Sequence, residues 1–139
     1  MHDDLFTLEW LVGDSISQID HSVESEGWSI LFKSGCRLNI ECLWRLRING
    51  HLISTNLDHG QQFGLSAPFD AMNSLQHHLG STPISAVLVE PKTADLRVHF
   101  GPDIVLEVIQ DSAGYEPWQA LTPEGRSVIA LGNGELCLA

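Results

Sequence analysis

Two polar loops, residues 58–65 and 111–118, hold the residue types in this chain that could do chemistry. The candidate ligand-binding residues in them are Asp58, His59, Gln61, Tyr115, Glu116 and Trp118. Each loop combines a carboxylate with a histidine or a tyrosine, so loops that met in space could bind a small ligand or support acid–base chemistry. The simpler interpretation is two ordinary turns whose aromatic residues cover the edge of the core. No catalytic residue is predicted, because no nucleophile has a recognisable partner.

A local basic patch is the second candidate. Glu41, Arg45 and Arg47 lie on the polar face of an alternating stretch, and four of the seven basic residues lie between positions 33 and 47. As an interaction face, this patch could bind a carboxylate. Pairing across strands with an acid such as Glu107 is the commoner use of such charges and is favoured here.

Metal and cofactor motifs do not occur in the sequence. The histidine-containing pairs Asp58-His59 and His77-His78 lack the spacing of metal ligands, and no two cysteines form a CxxC motif. There is also no phosphate-binding glycine loop, HExxH or GxSxG motif. We therefore predict no metal and no cofactor, and a non-enzymatic function is favoured over an enzymatic one.

The charge of the chain limits its partners. Its 139 residues carry eighteen acidic and seven basic side chains, a formal net charge of −11. This balance disfavours nucleic acid and anionic membranes and favours a basic protein partner. Three cysteines and the acidic start Met1-His-Asp-Asp, where a signal peptide would be basic, predict reduced thiols and a cytoplasmic location. The length predicts a single domain over 1–139.

The stretch Leu38–Ile48 is the clearest structural signal among the elements that must position these residues. Its even positions are all apolar and four of its five odd positions are polar, which predicts one long, bent or bulged strand. A three-residue loop, Lys33-Ser34-Gly35, would place Trp28 opposite Ile40 and join this strand to strand 28–32. Asn49-Gly50 predicts a second hairpin, with return strand 51–57 placing Ile53 opposite Leu46.

The rest of the chain is predicted to form one helix and further short strands. The helix is predicted at about 68–79, with Ser66 as N-cap and Gly80 following its end. Residues 5–12 are open to either helix or strand, and a short strand or arm covering the core is favoured. Other strands are predicted at 15–21, 84–89, 95–100, 104–109, 118–121, 127–131 and 135–138.

A shift of 68 residues lays the first half of the chain over the second. Ile16-Ser17 falls on Ile84-Ser85, and the apolar positions of residues 28–40 fall on those of residues 96–108. The pattern suggests two hairpin-based, duplicated halves, although any two hairpins share some likeness. In this comparison residues 43–48 form an extension that the second half lacks. The predicted fold class is α+β, predominantly antiparallel β-meanders with one helix.

The chain also resembles a group of small uncharacterised bacterial proteins. The residues that carry the resemblance are Trp44–Gly50, the loop Asp58-His59-Gly60-Gln61-x-Phe63-Gly64-Leu65 and the loop Gly114-Tyr115-Glu116-x-Trp118. Some members resemble immunity proteins encoded beside toxins, and the resemblance implies no catalytic residues. Together with the charge, it favours an immunity-type interaction module that binds a basic partner. Homodimerisation through an exposed edge strand is a further alternative.

Overall fold

The computed structural model describes residues 4–139, which form eleven strands in two antiparallel sheets and one α-helix. The strands are β1 Ile16–His21, β2 Trp28–Phe32, β3 Arg37–Ile40, β4 Leu43–Ile48, β5 His51–Thr55, β6 Ile84–Val89, β7 Leu96–Phe100, β8 Ile104–Ile109, β9 Trp118–Leu121, β10 Ser127–Ala130 and β11 Leu136–Leu138. The helix α1 is Ala71–Leu79, and 3-10 turns lie at Asp4–Thr7, Glu9–Leu11 and Asn56–Asp58. The predicted α+β class is confirmed.

The strands divide into a six-stranded and a five-stranded sheet. Sheet A has the order β1-β2-β3-β9-β10-β11, and sheet B has the order β5-β4-β8-β7-β6. Alternate residues of both sheets point into one shared apolar core, in which the rings of Trp28 of sheet A and Trp44 of sheet B are in edge contact. Among residues 4–139, no helix is long and apolar enough to cross a membrane.

Strands β1–β3 and β6–β8 repeat each other residue for residue at the offset of 68. Ile16 pairs with Phe32 as Ile84 pairs with Phe100, and the irregularity after Ile16 recurs after Ile84. The pairing of Trp28 with Ile40 likewise recurs as the pairing of Leu96 with Val108. The two halves predicted from the sequence therefore share one geometry.

The prediction that the second half lacks a counterpart to residues 43–48 is wrong. Trp118 pairs with Ile40 as Trp44 pairs with Val108, so β9 and β10 take the places of β4 and β5. The offset grows to 74 residues because β8 and β9 are separated by 110–117, whereas β3 and β4 are separated by 41–42 alone. Each half places three strands in one sheet and sends its next two strands into the other.

That exchange also corrects the prediction of a single strand over Leu38–Ile48. The chain leaves sheet A at Glu41 and enters sheet B at Leu43, so the stretch contains two strands. Alternation nevertheless continues across the break, because Cys42 is buried between Ile40 and Trp44. The pattern therefore shows which side chains are buried without showing that the strand changes sheets.

One predicted hairpin is confirmed, and the register of the other is wrong. Trp28 pairs with Ile40 across a loop in which Gly35 has a φ of +98°, as predicted. The Asn49-Gly50 turn also forms, but Leu46 lies opposite Ser54 because Ile53 is an extra, bulged residue. Ser54 consequently points into the core, and β5 ends at Thr55.

Two predictions need correction: the structure of residues 4–11 and the start of the helix. Residues 4–11 form 3-10 turns rather than a strand, although Leu8 and Leu11 do cover the core. The helix begins at Ala71 with Asp70, not Ser66, as its N-cap, since the backbone of Phe69 is bonded to Gly60 and Gln61. The 3-10 turns pack on β6 and α1 packs on β1, so each half covers the first strand of the other.

Candidate functional site

A row of short polar side chains crosses the outer face of sheet A. Asp20, Ser29, Asn39 and Gln119 occupy directly paired positions on β1, β2, β3 and β9. Ser29 Oγ donates to Asn39 Oδ1 at 2.9 Å, and Asn39 Nδ2 donates to Gln119 Oε1 at 3.3 Å. Arg37 Nη1 in turn donates to Ser29 Oγ at 2.7 Å. Ser29, Asn39 and Gln119 form the floor of a cavity of about 380 Å³, here called the polar groove, and Asp20 lies at its rim.

Carboxylates lie around the rim of the polar groove, and two buried tryptophans also line it. Asp20, Glu41 and Glu116 line it together with His21, Trp28 and Trp118, and its described lining contains no lysine or arginine. Glu41 lies beside Glu116 because its backbone N–H donates to the carbonyl of Pro117 at 2.8 Å. The groove therefore concentrates negative charge around a neutral floor that can both donate and accept hydrogen bonds.

An aromatic cluster adjoins the polar groove, which two of its members line. His21 stacks on Trp28 with 4.2 Å between ring centroids, and His59 contacts both rings edge-on at 5.1 and 5.2 Å. His21 Nδ1 lies 3.0 Å from the carbonyl oxygen of Gly27, so this nitrogen carries a hydrogen. His59 Nδ1 accepts from the backbone N–H of Ala71 at 3.0 Å. Loop 58–65 is thereby tied to the groove and to the start of α1.

The six candidate residues of the two loops are only partly brought together. Glu116 and Trp118 line the polar groove, and His59 touches two of its rings. Asp58 instead accepts from Thr55 N at 2.8 Å, and Tyr115 is 78% exposed. Gln61 is exposed, with its backbone bonded to Phe69.

The residues of the groove floor are absent from the sequence-based candidates. Ser29 and Asn39 occupy outward positions of two predicted strands, and the predicted register places them opposite each other. Cross-strand polar pairs could therefore have been read from the sequence. The contribution of Gln119 could not, because nothing local indicates that β9 joins β3.

The basic patch lies on the opposite side of the molecule, on the outer face of sheet B. Arg45 Nη2 is 2.9 Å and Arg47 Nη1 is 3.3 Å from the carboxylate of Glu107, which is only 6% exposed. Arg97 approaches the same carboxylate at 3.8 Å. The favoured pairing of Arg45 and Arg47 with Glu107 is thus present, whereas Glu41 lies at the polar groove instead of on this arginine face.

We expect Glu107→Gln to lower the free energy of unfolding by about 1–2 kcal/mol. The substitution removes the charge around which three guanidinium groups gather, and these groups then repel one another. Urea denaturation followed by circular dichroism measures the change. Glu90→Gln is the matched control, because Glu90 is half exposed and lies 3.9 Å from Arg97. A loss at Glu90 equal to that at Glu107 would contradict the central role of Glu107.

The groove floor and the arginine face occupy equivalent positions in the two sheets. Pairing places Ser29, Asn39 and Gln119 of sheet A where sheet B has Arg97, Glu107 and Arg45, respectively. On sheet B the long arginine side chains lie over the carboxylate and cover it. On sheet A the side chains are short, which leaves the same part of the surface hollow.

Thiol and metal chemistry find little support in the described residues. Burial raises the pKa of Cys42 to about 12, and burial also raises the pKa of Cys36, so neither thiol ionises readily near neutral pH. Within residues 4–139, no group of three or more His, Cys, Asp or Glu side chains is arranged to hold a metal ion. Ser29 already bonds Arg37 and Asn39, and neither is a general base that could activate its hydroxyl as a nucleophile.

The fold and the groove define a class: a two-sheet α+β protein with a polar, acid-rimmed groove on one sheet and, on the other, an arginine face gathered around the buried carboxylate of Glu107. No protein-family model, no curated protein and no solved structure matches the chain. The resemblance to small bacterial proteins therefore remains a prediction, and the polar groove is the feature that bears most directly on function.

Proposed function

We propose that this chain is a non-enzymatic interaction module whose polar groove binds a basic segment of a partner protein. The observation that carries the proposal is the hollow of about 380 Å³ rimmed by Asp20, Glu41 and Glu116. Carboxylates prefer cationic partners, and the net charge of −11 steers basic surfaces towards the molecule. An immunity-type role, in which such a module masks a basic toxin, is one form of this function.

The arginine face of sheet B supports arginine as the partner residue that enters the polar groove. On the arginine face, Arg45 and Arg97 lie on either side of Glu107, in the row equivalent to the groove floor. The floor also already accepts one guanidinium hydrogen bond, from Arg37 to Ser29. A planar guanidinium of a partner could bond a rim carboxylate and a floor amide oxygen together, which a lysine ammonium matches less well.

The test compares two triple variants with the wild-type protein. Asp20→Asn, Glu41→Gln and Glu116→Gln together should weaken binding of a labelled arginine-rich peptide by about ten- to hundredfold, measured by fluorescence anisotropy. The control triple Asp103→Asn, Glu124→Gln and Glu135→Gln removes the same charge at exposed positions outside the described lining of the groove. It should weaken binding only about two- to threefold.

Two results would count against the proposal. Equal weakening by both triples would mean that net charge alone attracts the peptide. Pull-down from the source cell at physiological salt, with mass spectrometry, should recover a basic protein on the wild-type chain and much less of it on the groove triple. Recovery of no partner would contradict an interaction module.

A small-ligand or enzymatic site is the second candidate, and the size of the groove favours it. A volume of about 380 Å³ lies within the range of ligand pockets, and Glu116, Trp118 and the ring of His59 meet at or beside the groove. A thermal-shift screen of metabolites separates the two functions. Stabilisation by a metabolite that is lost in both His59→Ala and Glu116→Ala would favour this candidate over the protein partner.

A further inference from the structure

Among residues 4–139, no strand lies beside the outer edge of β5, whereas the equivalent strand β10 has a neighbour there. Strand β11 pairs with β10, and Ser127 exchanges backbone hydrogen bonds of 3.0 and 2.9 Å with Ala139. In the first half Leu52 takes the place of Ser127, because Leu52 pairs with Arg47 as Ser127 pairs with the equivalent Leu121, and the bulged Ile53 has no counterpart in β10. This position in the fold therefore accepts an added antiparallel strand.

The chain itself does not supply that strand to β5. Gly60 and Gly134 are equivalent, with φ values of +81° and +85°, and after Gly134 the chain runs back along β10 as β11. After Gly60 it turns away, through positive φ at Phe63 and Gly64, towards α1. The segment that would cover the edge of β5 is thus used as the connection to the helix.

This edge carries three exposed hydrophobic side chains, and His51 is the one ionisable residue of the run 49–57. Leu52 is 57%, Ile53 42% and Leu57 69% exposed, and the run 49–57 contains no Asp, Glu, Lys or Arg. Natural edge strands are usually protected by charge or by cover. Here α1 covers β1, the 3-10 turns cover β6, and β11 has only three residues. Thr55 N–H is bonded to Asp58, which limits a shared ladder to residues 51–54.

We propose that β5 pairs antiparallel with β5 of a second copy, forming a two-fold dimer with one continuous sheet across the contact. Two chains of net charge −11 repel each other over most of their surface, and this uncharged run lets them meet without opposing like charges. An isologous contact also brings Leu52 and Ile53 of each copy against the other and closes the assembly at two chains. The contact leaves the polar groove of each copy on the other sheet, free for a partner.

Light scattering coupled to size-exclusion chromatography tests the dimer. At a protein concentration of about 1 mM, the wild-type chain should run as a dimer. At the same concentration, Ile53→Lys should run as a monomer. Leu88→Lys is the matched control and should remain dimeric, because Leu88 is also half exposed (53%) but lies on β6, at the far edge of sheet B. A monomeric wild type, or an Ile53→Lys variant that stays dimeric, would overturn the proposal.

A disulfide test does not depend on how Ile53→Lys folds. Antiparallel pairing centred on Leu52, the counterpart of Ser127, places the two Leu52 Cα atoms about 5.5 Å apart, within disulfide range. In a Cys137→Ser background, Leu52→Cys should therefore form a covalent dimer in a glutathione redox buffer much faster than Leu88→Cys does. Equal rates for the two variants would contradict pairing at β5.

Discussion

Replacing Trp118 by phenylalanine is expected to lower the free energy of unfolding by about 2–3 kcal/mol. Trp118 is 2% exposed, and its Nε1 donates to the carbonyl oxygen of Ala94 at 2.7 Å. Phenylalanine removes that donor, leaves a buried carbonyl without its partner and reduces the packed volume. Urea denaturation monitored by circular dichroism would measure the loss.

Trp44 supplies an internal control for this substitution. It occupies the equivalent position in the first half and is 1% exposed, but its Nε1 has no hydrogen-bond partner among the described residues. Trp44→Phe should therefore cost only the packing contribution, about 1–2 kcal/mol. If the two substitutions were equally costly, the hydrogen bond to Ala94 would contribute nothing to stability.

Gly134→Ala is expected to destabilise the protein by about 2–4 kcal/mol. Gly134 has a φ of +85°, and a Cβ atom added there would overlap the carbonyl oxygen of Lys92. Because that oxygen belongs to the backbone, the loop 131–135 or the loop 90–95 must move to make room. The midpoint of thermal unfolding should fall accordingly.

Gly60→Ala separates the cost of steric overlap from the cost of a left-handed backbone conformation. Gly60 has nearly the same φ, +81°, but a Cβ atom there would meet nothing within 4 Å. Its substitution should cost only the strain of a left-handed alanine, about 1 kcal/mol. A similar loss at both glycines would mean that the contact with Lys92 relaxes without cost.

Local pattern was enough to predict most of the fold. Alternation identified the buried residues of β2, β3 and β4, and parity across Gly35 gave the register of the first hairpin. The pattern could not show the exchange of strands between sheets, because burial continues through Cys42 whichever sheet follows. It also missed the bulge at Ile53, which depends on Ser54 taking the inward position.

The candidate site was less predictable, and for a physical reason. The polar groove is built from side chains on four strands, and two of them, β3 and β9, lie about 80 positions apart in the chain. Loop composition drew attention to Glu116 and Trp118, which line the groove, but it gave equal weight to Tyr115, which is exposed. The floor residues are ordinary strand residues whose role appears only when the sheets are assembled.

The exchange of strands between the two halves also affects how the chain can fold. Both central pairings, β3 with β9 and β4 with β8, join residues separated by about 80 and 62 positions. Such distant contacts must form before either sheet is continuous, and high contact order slows folding. Until the second half is available, β3 and β4 each have an unpaired edge. Each complete sheet therefore requires strands from both halves of the chain.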